Sequence, residues 1–253
     1  MLALLIALTQ TFTIQSTTLH ETRRINVYTP PGYEAGTTRY PVLYMPDGGE
    51  QEDFPHVTAT VDSAIRAGEM RPVIVVGIEN TERRRDTTGP TQVESDRRIA
   101  PRVGGSAAFR AFIRDELMPQ IRTRYRVTDE RAIVGESLAG LFIVETFLLE
   151  PELFDTYIAF DPSLWWNGGE LVRTAGERLA ARPRLNKTLY ISSANEVDIV
   201  AATTKLAEVL RAGAPAGLRW EYRPRPDLRH DNIYRGEAPR VLRERFPPEA
   251  TTL

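Results

Sequence analysis

The chain of 253 residues contains no cysteine. That absence excludes disulfides, thiolate metal centres and a cysteine nucleophile together. Histidine is scarce: His20, His56 and His230 are the only three, and no two stand at metal-ligand spacing. Phosphate-loop and metal motifs are missing as well, so no cofactor and no metal are expected. There is no basic surplus, since 32 Lys and Arg face 34 Asp and Glu. A nucleic-acid surface normally needs such a surplus, and no nucleic-acid partner is expected. No apolar run reaches the roughly 20 residues of a membrane helix, so no membrane span is expected either. The first nine residues, MLALLIALT, are apolar. They read either as the hydrophobic part of a signal peptide, although no Lys or Arg precedes them, or as a buried or frayed terminal segment. The compartment therefore stays open between periplasmic or secreted and cytoplasmic. Oligomeric state leaves no signature.

What is present is an ordinary soluble composition, 42% apolar and 26% charged, in a chain long enough to bury a sizeable core. TFTIQS and RRINVYTP alternate with period two and read as strands joined by a turn at TLHET. YPVLYMP, RPVIVVGI, RAIVG, FDTYIAFDPS, KTLYISSA and LRWEYRP read as further strands, several of them apolar throughout. Between them lie helical stretches: VTATVDSAIRAG, SAAFRAFIRDELMPQIRTRY, LAGLFIVETFLLE, GELVRTAGERLAA, VAATTKLAEVLRAG and EAPRVLRERF. This alternation predicts an α/β fold with a mostly parallel sheet, helices on both faces and an N-terminal antiparallel hairpin. One domain is expected over residues 11–248, with 1–10 a leader remnant or disordered N-terminus. Residues 80–104 form a polar segment long for a loop, and such loops are usually functional or mobile.

The segment GESLAG, residues 135–140, stands between an apolar strand and an apolar helix. That is the setting of a nucleophile elbow, in which a sharp turn lifts a serine hydroxyl clear of the sheet. Small neighbours are needed there. Gly135 supplies one, Ala139 stands where Gly is commoner, and Gly140 follows. The plain alternative for Ser137 is a helix cap.

A serine attacks only when a base takes its proton, usually a histidine held by a carboxylate. In this order of elements the acid and then the histidine follow the serine. His20 and His56 precede Ser137, which leaves His230 in the polar loop RPDLRHDNIYRGE. The acid is expected after the strand KTLYISSA, at Glu196, with Asp198 as the alternative and Asp227 and Asp231 further off. The developing oxyanion needs donors. The backbone N–H of Leu138 is one, and the loop PDGGE offers Gly49, then Gly48.

With these residues assembled, the chain resembles the putative-esterase branch of the α/β-hydrolase superfamily, most nearly its siderophore-esterase-like hydrolases, which are related to feruloyl esterases. The matching pieces are VYTPPGY, YPVLYMPDG, VVGIENTERRRD, AFIRDELMPQIRTRY, GESLAG, PELFDTYIAFDPSLWW and RHDNIY, spread over residues 25–245. The resemblance implies an α/β-hydrolase fold and a serine esterase acting on a small-molecule ester, of siderophore or feruloyl type, through an acyl-enzyme. The same residues would serve acyl transfer, and a non-catalytic binding module on this scaffold is the alternative from another class. Relatives often carry His before the serine and Gly two after it, where this chain has Glu136 and Ala139. Trp165 and Trp166 lie where a ring substrate could stack, with core packing as the other reading. The arginines of TERRRD, Arg85 among them, are candidates for a basic rim, against an ordinary solvated loop.

Overall fold

The computed structural model describes residues 8–249. Residues 1–7 of the expected leader lie outside the described residues, whereas Leu8–Gln10 already belong to the first strand. Among the described residues eight strands form one sheet: β1 (Leu8–Ser16), β2 (Glu21–Thr29), β3 (Tyr40–Pro46), β4 (Ile74–Ile78), β5 (Val127–Glu136), β6 (Thr156–Phe160), β7 (Thr188–Ser193) and β8 (Arg219–Pro224). Their spatial order is β1-β2-β4-β3-β5-β6-β7-β8. β1 and β2 form the antiparallel hairpin, and β2 runs antiparallel to β4. Every pairing from β4 to β8 is parallel. This is the mostly parallel sheet with an N-terminal hairpin that the alternation predicts, and the α/β-hydrolase architecture that the resemblance implies.

The helices are α1 (Phe54–Arg66), α2 (Arg83–Thr87), α3 (Glu94–Arg97), α4 (Ser106–Phe112), α5 (Met118–Arg124), α6 (Leu138–Leu149), α7 (Trp166–Ala180), α8 (Val197–Gly213) and α9 (Ile233–Arg245), with a π-turn at Ile113–Leu117 joining α4 to α5. The polar segment 80–104 is thus no bare loop but carries α2 and α3. Among the described residues no helix is long and apolar enough to cross a membrane.

Apolar runs without alternation become central strands because both sheet faces are covered. In β3, Val42 and Tyr44 face the cluster that holds Phe142 and Ile143 of α6, while Leu43 and Met45 face Val57 and Val61 of α1 and Val241 of α9. Burying each such side chain contributes roughly 1.5–3 kcal/mol relative to exposure. The sheet is therefore a rigid frame, and what matters for chemistry stands at its carboxyl edge. Asp47, Ser137 and Asp161 each directly follow the last residue of β3, β5 or β6. Ligands of open α/β sheets bind at this edge.

Gly48 shows how tightly that edge is packed. Its N–H donates to the Ile78 carbonyl at 3.0 Å and its own carbonyl accepts from Asn26 Nδ2 at 2.9 Å. A Cβ at this position would lie 2.2 Å from Ile78 N and 2.3 Å from the Gly77 backbone. We expect Gly48→Ala to destabilise the fold by about 3 kcal/mol, at the upper end of overpacking costs, read as a lower urea midpoint at unchanged slope. A midpoint equal to wild type would contradict this packing.

Candidate active site

Ser137 is the N-cap residue of α6, yet its side chain makes no capping hydrogen bond. Its backbone sits at φ 61°, ψ −120°, a strained region for a residue with a side chain. The surroundings hold it there. Ser137 N–H donates to the Phe160 carbonyl at 3.0 Å, and its carbonyl accepts from Leu141 N–H at 2.9 Å and Ser163 N–H at 3.1 Å. A Cβ on Gly135 would lie 2.8 Å from the Cβ of Ala139. The bare Gly135 therefore makes room for the extra methyl of Ala139, and the departure from glycine at 139 is accommodated within the turn itself.

With no cap bond to make, the hydroxyl points elsewhere. Ser137 Oγ lies 3.1 Å from His230 Nε2 and 3.5 Å from Ser163 Oγ. His230, on the loop between β8 and α9, places Nδ1 2.6 Å from Asp161 Oδ2. Asp161 is fully buried, and its Oδ1 accepts the Ala194 N–H at 2.7 Å. Serine, imidazole and carboxylate thus form one hydrogen-bonded chain. The bond to Asp161 raises the basicity of His230, burial opposes it, and the charges of Glu136, Asp161 and Glu196 add to the rise.

The carboxylate at the imidazole is not the one expected from the sequence. Glu196 is exposed on the rim, at the N-cap of α8, and Asp198 is exposed in the first turn of that helix. Neither hydrogen-bonds His230. Asp227 pairs with Arg225 and Asp231 with Arg229. The reason is geometric: Phe160 of β6 pairs with Ser192 of β7, so both strand ends reach the same edge, and β6 delivers its carboxylate directly while β7 continues into the rim. The available cue was an aspartate closing the apolar strand TYIAF.

The loop after β3 also departs from expectation. Gly49 N–H donates to Glu52 Oε2 at 2.7 Å, and Gly48 N–H is committed to Ile78. Neither is free to meet a substrate oxygen. Leu138, the first residue of α6, does line the cavity above Ser137, and first-turn N–H groups have no intrahelical acceptor. The same cavity is lined by Arg83 of α2, which the sequence offers only as one of the TERRRD arginines of a basic rim. Asp47, at φ 55°, grips this guanidinium from both oxygens, with Arg83 Nε 2.6 Å from Oδ1 and Nη2 2.8 Å from Oδ2. Nη2 also lies 3.5 Å from the carbonyl of Glu136. Among the described residues, no protein group accepts from Arg83 Nη1.

The cavity has a volume of about 480 Å³ and is lined by Ser137, Leu138, His230, Arg83, Trp165 and Glu196 among others. A larger hollow of about 610 Å³ between α7 and α8 shares Trp165 and Asp198 with it but contains none of the reactive groups. Of the two tryptophans, only Trp165 faces the cavity. Trp166 is buried, its Nε1 donating to the Gly89 carbonyl at 2.9 Å, so it packs rather than binds. Arg85 is likewise withdrawn, bonded to Glu21 at 2.7 Å and Asp86 at 2.7 Å. Its neighbours Arg83 and Arg84 line the cavity in its place. Among the described residues, no group of three or more His, Cys, Asp or Glu side chains is arranged to hold a metal ion.

The chain is similar to proteins already known. The family described as putative esterase matches residues 16–234. The ferri-bacillibactin esterase BesA of Bacillus subtilis is 31% identical over 172 residues, 60% of this chain and 57% of its own length. The uncharacterised protein YbbA of the same organism is 25% identical over 59% of this chain and 61% of its own. The aligned part therefore spans less than two thirds of these relatives. A solved IroE-like serine hydrolase from Shewanella oneidensis superposes with TM-score 0.87 and 28% identity, over 94% of this chain and 80% of that one. The siderophore hydrolase EstB from Aspergillus nidulans shares the fold, with TM-score 0.79 at 19% identity, over 96% of each chain.

Proposed function

Given that the chain belongs to the putative esterase family, we propose that it is a serine carboxylic-ester hydrolase working through an acyl-enzyme. The observation that carries this reading is His230 standing between Ser137 Oγ and Asp161 at the floor of the cavity. In the proposed reaction His230 Nε2 takes the hydroxyl proton as Ser137 Oγ attacks the ester carbonyl. Asp161 holds the Nδ1–H tautomer and stabilises the imidazolium. The alcohol leaves with the proton from Nε2. Water, deprotonated by the same nitrogen, then cleaves the acyl-serine and restores Ser137.

The oxyanion is met by the Leu138 N–H and by the guanidinium of Arg83. This pairing replaces the glycine N–H groups, which are already committed to Glu52 and Ile78. The double grip of Asp47 fixes the guanidinium before substrate arrives, which is what makes such a donor effective. Arg83→Met is expected to lower kcat by roughly 10²–10³-fold with a smaller change in KM. Arg83→Lys is expected to restore little, because an ammonium cannot keep the two-oxygen grip on Asp47. Activity of Arg83→Met within a few fold of wild type would place the second donor elsewhere.

For the substrate, we propose an ester of the siderophore class, supported by BesA, the relative named a ferri-bacillibactin esterase. The test is a panel of short and medium p-nitrophenyl esters, a feruloyl ester and a catecholate trilactone, assayed beside labelling with a serine-reactive phosphonate. Preference for the trilactone supports the substrate class, and preference for the feruloyl ester replaces it. Absence of both turnover and labelling would sink the hydrolase reading.

A further inference from the structure

We propose that Glu136 is a second carboxylate acting on His230, a positioning residue that supports the protonated imidazole by its charge and withdraws that support when it takes up a proton. The proposal rests on the reading of His230 as the base. Glu136 is the last residue of β5, directly before the nucleophile. Its Oε1 lies 3.6 Å from His230 Nδ1, the nitrogen that Asp161 Oδ2 holds at 2.6 Å. At 3.6 Å there is no hydrogen bond, and the single Nδ1 proton is already directed to Asp161. Glu136 therefore acts on the ring through its charge.

The setting makes that charge variable. Glu136 Oε1 is buried and has no hydrogen-bond partner, an uncomfortable state for an ionised carboxylate. Burial is the main influence pushing its proton affinity up; the charge of His230 works against it, Asp53 at the start of α1 adds to it, Arg83 of α2 opposes it and Asp161 beyond β6 adds to it. Tyr234 of α9 faces the same space with a buried, unpartnered hydroxyl near Asp53, Asp47 and Glu136. The balance leaves Glu136 titrating at about 7, where the base must work. Above that pH the imidazolium formed by proton transfer from Ser137 lies beside two carboxylates. Below it, one of the two is neutral. The titrations of Glu136 and His230 are coupled, and the acid limb of the rate belongs to the pair.

The sign follows. Removing a negative charge next to His230 destabilises its protonated form, so the neutral base persists to lower pH. The experiment compares wild type, Glu136→Gln and Glu136→Asp by the pH profile of kcat/KM on a p-nitrophenyl ester and by NMR titration of the His230 ring. Glu136→Gln should move the acid limb to lower pH and narrow it to one ionisation, while kcat at pH 8–9 falls several-fold. Glu136→Asp, which keeps a carboxylate, should leave the limb nearer that of wild type. The NMR titration should move in the same direction and does not depend on turnover. A Gln variant whose limb and ring titration both coincide with wild type overturns the proposal, even if its rate is reduced. Should wild type hydrolyse no ester, the base reading fails separately, and the ring titration alone still decides whether Glu136 acts on His230.

Discussion

Replacing Ser137 with alanine is expected to lower kcat by roughly 10⁴-fold or more while leaving KM nearly unchanged. The expected asymmetry comes from what the side chain does and does not touch. Its hydroxyl meets His230 Nε2 at 3.1 Å and makes no capping bond to α6. A capping serine would give the opposite pattern, a loss of about 1 kcal/mol of stability with the rate preserved. Here the variant should unfold within about 1 kcal/mol of wild type, because the backbone strain at 137 is retained by any residue with a Cβ. Residual turnover should persist above the uncatalysed rate, since Arg83 and the Leu138 N–H remain to polarise a carbonyl. Phosphonate labelling should vanish with the hydroxyl. Persistence of ester hydrolysis in Ser137→Ala would mean that another group attacks.

Much of this arrangement can be read from the chain before folding, and the unreadable parts share a cause. Strands such as YPVLYMP and RAIVG are legible because continuous burial on two faces demands continuous apolarity. The elbow is legible because its strain demands small residues at fixed offsets, and chain order leaves His230 as the one histidine after Ser137. Asp161 is not legible in the same way. Which carboxylate meets the imidazole depends on the pairing of β6 beside β7 and on the height at which each strand ends. No spacing along the chain encodes that. The glycines of PDGG mislead for a related reason: their permissive backbone is used for packing against β4 and for donating an N–H to the Glu52 carboxylate, not for approach by a substrate. In the run Arg83-Arg84-Arg85 the residue type is constant and only the helical turn of α2 assigns partners, Asp47 to the first and Glu21 to the last. Local rules recover what local chemistry fixes, and the site's remaining members are fixed by neighbours distant in sequence.

Asp161 and Glu196 therefore make the sharpest comparison. Asp161→Asn is expected to cost roughly 10³–10⁴-fold in kcat, and Glu196→Gln no more than about threefold. The first figure follows from the hydrogen bonds around Asp161. Its Oδ1 accepts the Ala194 N–H at 2.7 Å, a buried donor that must keep an acceptor. An asparagine would satisfy Ala194 with its amide oxygen and turn its NH₂ toward His230 Nδ1. That nitrogen would then have to accept, which moves the ring proton to Nε2. An imidazole carrying its proton on Nε2 cannot take another from Ser137 Oγ. The variant would keep its shape and lose its base. The acid limb of the residual activity should also fall to lower pH, because Asp161 is the foremost influence holding His230 basic. Glu196 reaches the same imidazole only through charge from an exposed rim position, and such charges are screened by water and salt. Parallel kcat measurements on the two variants, at low and high salt, separate the roles. A large loss in Glu196→Gln with a mild one in Asp161→Asn would return the acid to the end of β7 and make the 2.6 Å contact at Asp161 incidental to the chemistry.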